Sequence, residues 1–125
     1  MQKHNEWLCA AEQDFASAKK LMIGDDTPST AIYHTQQVAE KSLKAFIIFK
    51  GLECPFEHDL GKLLKSCVKQ DPSFIQLKKA AEELSPYYIK SRYPDDCLYV
   101  PTKTEIIRAI KLAKQVLNFV KSKVI

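Results

Sequence analysis

Glycine and histidine are scarce in this chain, with 3 of each in 125 residues, and tryptophan occurs once. Three glycines and 6 prolines are too few for a turn-rich all-β fold, which spends glycine on many tight turns. The four cysteines, Cys9, Cys54, Cys67 and Cys97, include no C-x-x-C pair, so zinc-site spacing is absent and no metal or other cofactor is expected. Cys54 and His58 make a lone C-x3-H. The plainer expectation is that the cysteines are small buried hydrophobes. Long apolar runs are also missing: the longest, Ala45 to Phe49, is far too short to cross a bilayer. Gln2, Lys3, His4, Asn5 and Glu6 contain no apolar signal-peptide core, so a cytoplasmic protein is expected. Neither sign of charge dominates. Lys+Arg number 19 against 15 Asp+Glu, a net +4 that permits an acidic partner without demanding one.

What is present is helical periodicity. The length suits one domain, 1–125, and 46% hydrophobic residues can fill a core without a metal or disulfide. Trp7, Leu8, Ala11, Phe15, Ala18 and Met22 form one stripe, predicting a helix over 5–23 that Gly24 ends; Asp14 sits beside the stripe. Thr27 as N-cap and Pro28 in the first turn open a second helix, which Gly51 stops. That helix is apolar on two faces, carrying Ala31, Val38, Ala45, Ile48 and Phe49 on one. Ile32, Ala39, Leu43, Phe46 and Ile47 occupy the other, which predicts the central member of a bundle.

A third helix is expected over 57–68, with Leu60, Leu63, Leu64, Cys67 and Val68 inward and His58 or Glu57 as N-cap. Asp71 caps a fourth, with Pro72 in its first turn and Phe74 or Ile75, Leu77, Ala81 and Leu84 in the core. Pro86 breaks it, and Tyr87, Tyr88 and Ile89 continue as a short stretch. Thr102-x-x-Glu105 is a capping box for the last helix, whose stripe is Ile106, Ile110, Ala113, Leu117 and Val120. Its other face carries Arg108, Lys111 and Gln115, most simply a solvated surface. No segment alternates with period two. The expected fold is all-α, an up-and-down four-helix bundle with a short additional helix.

Three polar features stand out. On the second helix, His34, Gln37, Lys41 and Lys44 fall at i, i+3, i+7 and i+10, one ridge, and Glu40 can pair with Lys44. Lysine charge beside Gln and His donors suits an anionic ligand; the alternative is a solvated stripe. His58-Asp59-Leu60 offers His58 as a general base or phosphate contact, against simple helix-start chemistry in which Asp59 suits the positive helix end. Ser91-Arg92-Tyr93-Pro94 brings a guanidinium and an aromatic ring together, a pairing that recognises phosphates and bases. Alternatively Arg92 pairs with Asp95 or Asp96, and Tyr87, Tyr88, Tyr93 and Tyr99 pack.

The order Trp7-x3-Ala11-x2-Asp14-x3-Ala18, then Tyr33-His34-Thr35-Gln36-Gln37-x2-Glu40-Lys41-x2-Lys44-Ala45, then His58-Asp59-Leu60, then Ser91-Arg92-Tyr93-Pro94 resembles a HEPN domain of the small stand-alone prokaryotic type. The resemblance covers nearly the whole chain. It implies a helical bundle, a homodimer with its cleft at the subunit contact, and pairing with a minimal nucleotidyltransferase in a toxin–antitoxin-like two-gene system. Many such domains are metal-independent ribonucleases with an Arg-x(4–6)-His motif. This sequence departs from it, since four to six residues past Arg92 lie Cys97, Leu98 and Tyr99, and no histidine follows His58.

The resulting expectation is a dimeric protein that binds a nucleotide or RNA phosphate. Arg92 and Lys41 would contact phosphate, with Lys44 beside them; His34 and Gln37 would orient it, and Tyr93 would stack on the base. The alternatives are a ribonuclease toxin using Arg92 with His58 or His34, and a ligand-free dimeric scaffold. Some relatives are inactivated when the partner adenylylates a tyrosine near the motif, and Tyr99, or else Tyr93, stands where that tyrosine falls.

Overall fold

The structure is a computed structural model that describes residues 3–23, 28–90 and 100–125. Helix α1 spans Lys3–Ile23, α2 Pro28–Phe49, α3 Leu60–Gln70, α4 Lys78–Leu84, α5 Tyr87–Lys90 and α6 Lys103–Lys123. A 3-10 segment, Pro72–Leu77, leads into α4. No strand occurs among the described residues. The architecture is the all-helical bundle that the periodicity requires.

Helix α2 is its axis. It packs against α1, α3, α4, α5 and α6, and buries residues on nearly its whole circumference. Ala31, Ile32, Val38, Ala39, Leu43, Ala45, Phe46 and Ile47 are all at most 2% exposed, but at the C-terminal end of the first predicted face Ile48 is partly buried and Phe49 is 36% exposed, because the helix runs out of neighbours there. The stripe of α1 meets it through Leu8, Ala11 and Ala18, and that of α6 through Ile106, Ala113, Leu117 and Val120. Phe74 stands at the centre of an aromatic cluster, 4.2 Å from the Phe46 ring and 4.9 Å edge-on to Phe119.

Local chemistry sets the helix ends. Gly51 has φ +82°, its N–H bonds to the Ile48 carbonyl, and the Leu52 N–H bonds to the Ile47 carbonyl. This is a Schellman termination, which favours glycine at the left-handed position. Thr102 and Glu105 exchange the two hydrogen bonds of a capping box at α6. Gly24 and Thr27, expected to stop α1 and cap α2, lie outside the described residues.

Several expectations need correction. Helix α3 begins at Leu60, and its cap is Asp59, whose carboxylate accepts from the Gly61 and Lys62 N–H groups. A carboxylate there satisfies two orphan donors and faces the positive helix end, which neither Glu57 nor His58 does as well. Asp71 does cap the next segment, but its first turns are 3-10, which places Phe74 inward and leaves Ile75 56% exposed. Of the described cysteines only Cys67 is buried; Cys9 is exposed and Cys54 intermediate. Ile110 is only partly buried.

Candidate functional site

The predicted ridge on α2 is not a solvated stripe. Gln37 and Lys44 are buried, and His34 and Lys41 are partly buried. Two carboxylates hold the ridge in place. Asp14, projected from α1, accepts from His34 Nδ1 at 2.7 Å through one oxygen and from Lys41 Nζ at 2.6 Å through the other. Glu40, on α2 itself, accepts from Lys44 Nζ at 3.1 Å and from Gln37 Nε2 at 3.2 Å. Spacing explains the geometry. Residues 34 and 41 are seven apart, two helical turns, so both can reach one acceptor on the neighbouring helix.

Glu40 also joins the α2–α3 connection to this array. His58 Nδ1 lies 3.1 Å and 3.2 Å from the two Glu40 oxygens, and the ring stacks on Tyr88 at 4.4 Å with a 12° tilt. A carboxylate at Nδ1 fixes the N–H there and leaves Nε2 as the accepting nitrogen. The same holds for His34 on Asp14. His58 is about half exposed while Glu40 is 4% exposed, so a buried acid orients an accessible imidazole. Gln36, fully buried, donates to the His58 carbonyl at 3.1 Å and accepts from Gln37 at 2.7 Å, locking the connection against the helix. Among the described residues no buried side-chain nitrogen or oxygen lacks a partner.

The array opens on a groove of about 870 Å³ lined by Trp7, Glu40, Lys41, Lys44, Phe56 and His58, among others. Lys44 Nζ lies 5.6 Å over the Trp7 ring, a cation–π contact added to its ion pair. The groove thus combines ammonium N–H groups, an imidazole edge and aromatic surface. Lys41 and Lys44 are charge-balanced by Asp14 and Glu40, so they act mainly as oriented donors.

The structure therefore gathers Gln37, Lys44 and His58 around Glu40, and His34 and Lys41 around Asp14, two polar clusters neighbouring one another along α2. Arg92, Tyr93 and Tyr99 lie outside the described residues. Asp14, Glu40, Gln36 and Tyr88 were not among the candidate site residues. Asp14 beside the α1 stripe and Glu40 at i−4 from Lys44 were the signals available for two of them. No group of three potential metal ligands occurs among the described residues, and Cys54 Sγ lies 4.0 Å from the Pro55 carbonyl oxygen.

The chain is thus a small all-helical bundle whose central helix carries a basic ridge held by two acids. The family model for the HEPN domain matches residues 4–123, and the chain belongs to that family. It is 26% identical over 125 residues to "Putative toxin MJ1304" of Methanocaldococcus jannaschii, covering 89% of this chain and 81% of that protein. The crystal structure of TT1696 from Thermus thermophilus superimposes with a TM-score of 0.81 at 28% identity, over 98% of this chain and 99% of that one. That of ST0689, an archaeal HEPN homologue, gives 0.79 at 27% identity over the full length of both chains.

Proposed function

We propose that this HEPN protein binds the phosphate group of a nucleotide or RNA in the groove edged by Lys41, Lys44 and His58. In this reading it serves as the toxin-class half of a two-gene pair with a minimal nucleotidyltransferase. The observation that carries the reading is the imidazole of His58, held at Nδ1 by buried Glu40 and presented beside lysine donors and the Trp7 ring. An ammonium has three N–H groups; one on each lysine is spent on a carboxylate, and the others remain for an anion. In this reading Arg92 supplies a further cation for the phosphate, and Tyr93 stacks on the base. The protein works as a homodimer in this reading, and the toxin name of the archaeal relative is consistent with it.

Calorimetric titration with ATP, GTP and a short RNA tests the proposal. Binding of at least one, weakened about tenfold by Lys41→Ala or Arg92→Ala, is the expected result. Absence of binding to all three, alone and with the nucleotidyltransferase, overturns it. If the partner modifies Tyr99, co-expression adds one nucleotidyl mass to the intact chain.

A second reading, ribonuclease activity, is favoured by the Glu40–His58 pair. A carboxylate-oriented imidazole can accept the ribose 2′-hydroxyl proton as the oxygen attacks phosphorus, Arg92 would stabilise the phosphorane charge, and the imidazolium returns the proton to the 5′-oxygen as the P–O5′ bond breaks, leaving a 2′,3′-cyclic phosphate. Expression of active protein should then arrest growth, and Arg92→Ala or His58→Ala should relieve the arrest. Harmless expression of folded wild type removes this reading while leaving phosphate binding intact.

A further inference from the structure

A second groove, of about 790 Å³, runs between α3 and the arm formed by the 3-10 segment and α4. None of the residues of the His58–Glu40 array lines it. Its floor is aliphatic: Leu64 and Val68 from α3, Ala81 from α4, and Ile75, whose side chain stands 56% exposed. An exposed branched side chain set into a concavity is the feature that calls for an occupant, since a scattered surface isoleucine on a convex face would not.

The rim is basic. Lys62, Lys65 and Lys69 descend one face of α3 at i, i+3 and i+7, and Lys78 faces them from the start of α4. Lys65, Lys69 and Lys78 make no ion pair among the described residues, and Lys62 reaches Glu57 only at 4.0 Å. Two acids share the rim. The Asp59 carboxylate is occupied as the α3 cap, which leaves Glu82 as the acid facing the groove. Four lysines thus share the rim with one acid that is not engaged as a helix cap. Three of them have no carboxylate in salt-bridge reach among the described residues, unlike Lys41 and Lys44 of the α2 ridge, which each have one.

An aliphatic floor rimmed by four lysines, three of them unpaired among the described residues, excludes some ligands and matches others. It offers no aromatic ring on which a nucleobase could stack, and a phosphate backbone would leave Ile75 and Val68 facing its charges. An amphipathic helix with an aliphatic ridge and acidic flanks complements both the floor and the rim. The 11 residues of α3 make a wall roughly 16 Å long, enough for about three turns of a partner helix. We propose that this groove docks an acidic amphipathic helix of a partner protein. The proposal is independent of the phosphate-binding reading, because no residue of the His58–Glu40 array takes part.

Three labelled peptides of roughly 15 residues test it, long enough to hold a helix and sharing one leucine register at i, i+3, i+4 and i+7. Their flanking positions carry glutamate, glutamine or lysine. Titrated with the full chain and read by fluorescence anisotropy, affinity should fall from glutamate to glutamine to lysine by about tenfold at each step. It should also weaken as salt is raised. Amide shift changes should centre on α3 and on Ile75. The variant Lys65→Glu/Lys69→Glu should reverse the order, and Ile75→Asp should abolish binding of all three. Both alter exposed side chains, so folding is retained.

The proposal falls if no peptide binds, if the three bind equally, or if the shifts centre on His58. It falls equally if a short RNA displaces the glutamate peptide and itself loses affinity in Lys65→Glu/Lys69→Glu, which would make the groove a polyanion surface. A sedimentation change in Ile75→Asp would assign the groove to a second copy of this chain and overturn the proposal as well.

Discussion

The Glu40 carboxylate holds the His58 ring at 3.1 Å and the Lys44 ammonium at 3.1 Å, so one buried acid governs two bases from different parts of the chain. It is 4% exposed on the central helix, so water can compensate a lost partner only from the groove side. Its removal therefore bears on both stability and the site.

Glu40→Gln keeps the shape but leaves the Lys44 charge buried with no counter-charge. Breaking a buried pair from one side costs about 3–5 kcal/mol, so unfolding in urea should shift by an amount of that order. Replacing both partners, Glu40→Gln with Lys44→Met, should recover most of the loss, because the glutamine oxygen still accepts from Gln37 and no charge remains. Equal losses in the single and double variants would show that the carboxylate's hydrogen bonds, rather than its charge, hold α2 in place.

Much of this architecture is legible in the sequence, and the parts that are not share one cause. The stripes of α1, α2 and α6, the capping box at Thr102 and the stop at Gly51 are local patterns, set by periods and residue chemistry within a few positions. The ridge His34, Gln37, Lys41 and Lys44 follows from 100° per residue in the same way. What no local pattern supplies is its burial. The acid that holds His34 and Lys41 is 20 and 27 residues away on α1, and His58 is 18 residues from Glu40. A polar stripe facing solvent and one facing buried carboxylates have the same periodicity. Gln36 shows this most clearly. It lies off the ridge, yet it is fully buried and ties the α2–α3 connection to the array.

Tyr88 should matter through its ring. It stacks on His58 at 4.4 Å and lies 6.3 Å from Tyr33, so it backs one face of the imidazole. Such aromatic contacts contribute about 0.5–1.5 kcal/mol beyond area burial. Tyr88→Ala should therefore weaken RNA or nucleotide binding by roughly three- to tenfold. Tyr88→Phe, which keeps the stack, should bind more tightly than Tyr88→Ala. If Phe and Ala bind equally poorly, the hydroxyl rather than the ring is the contributing group.

Acid should weaken the bundle through two surface carboxyls, Asp71 and Glu83. Hydrogen bonds from Ser73, reinforced by Lys123, hold the Asp71 carboxyl below its ordinary 3.8. The Arg108 guanidinium, bonded to Glu83 at 2.8 Å through two nitrogens, holds that carboxyl below 4.5. A carboxyl more acidic in the folded state stabilises the fold above its unfolded value, and that contribution is lost as pH falls through the folded value. Stability should therefore hold down to about pH 5 and decline below 4.5 and 3.8 in turn. Both groups are exposed and screened, so the slopes should be shallow and should flatten further in high salt. Asp71→Asn and Glu83→Gln should each remove part of the decline in urea midpoints measured from about pH 6 to about pH 3. Unchanged profiles in both would mean that other carboxylates carry the acid response.

Cys9 and Cys67 should differ sharply as nucleophiles. Burial pushes the Cys67 thiol up to about 12, since the core opposes a thiolate, and its Sγ sits 3.6 Å from the Leu43 carbonyl. Only the thiolate attacks an alkylating reagent, so Cys67 is protected both by its ionisation and by the lack of access. Cys9 stands exposed on the outer face of α1. Iodoacetamide at about pH 8 should therefore label Cys9 within minutes. Cys67 should label only as fast as the bundle opens, in proportion to the unfolded fraction. Peptide mapping after a short pulse separates the two, and added urea should accelerate Cys67 alone. Rapid native labelling of Cys67 would mean that α3 opens from α2 without global unfolding, at the connection that Gln36 and Glu40 are argued to lock.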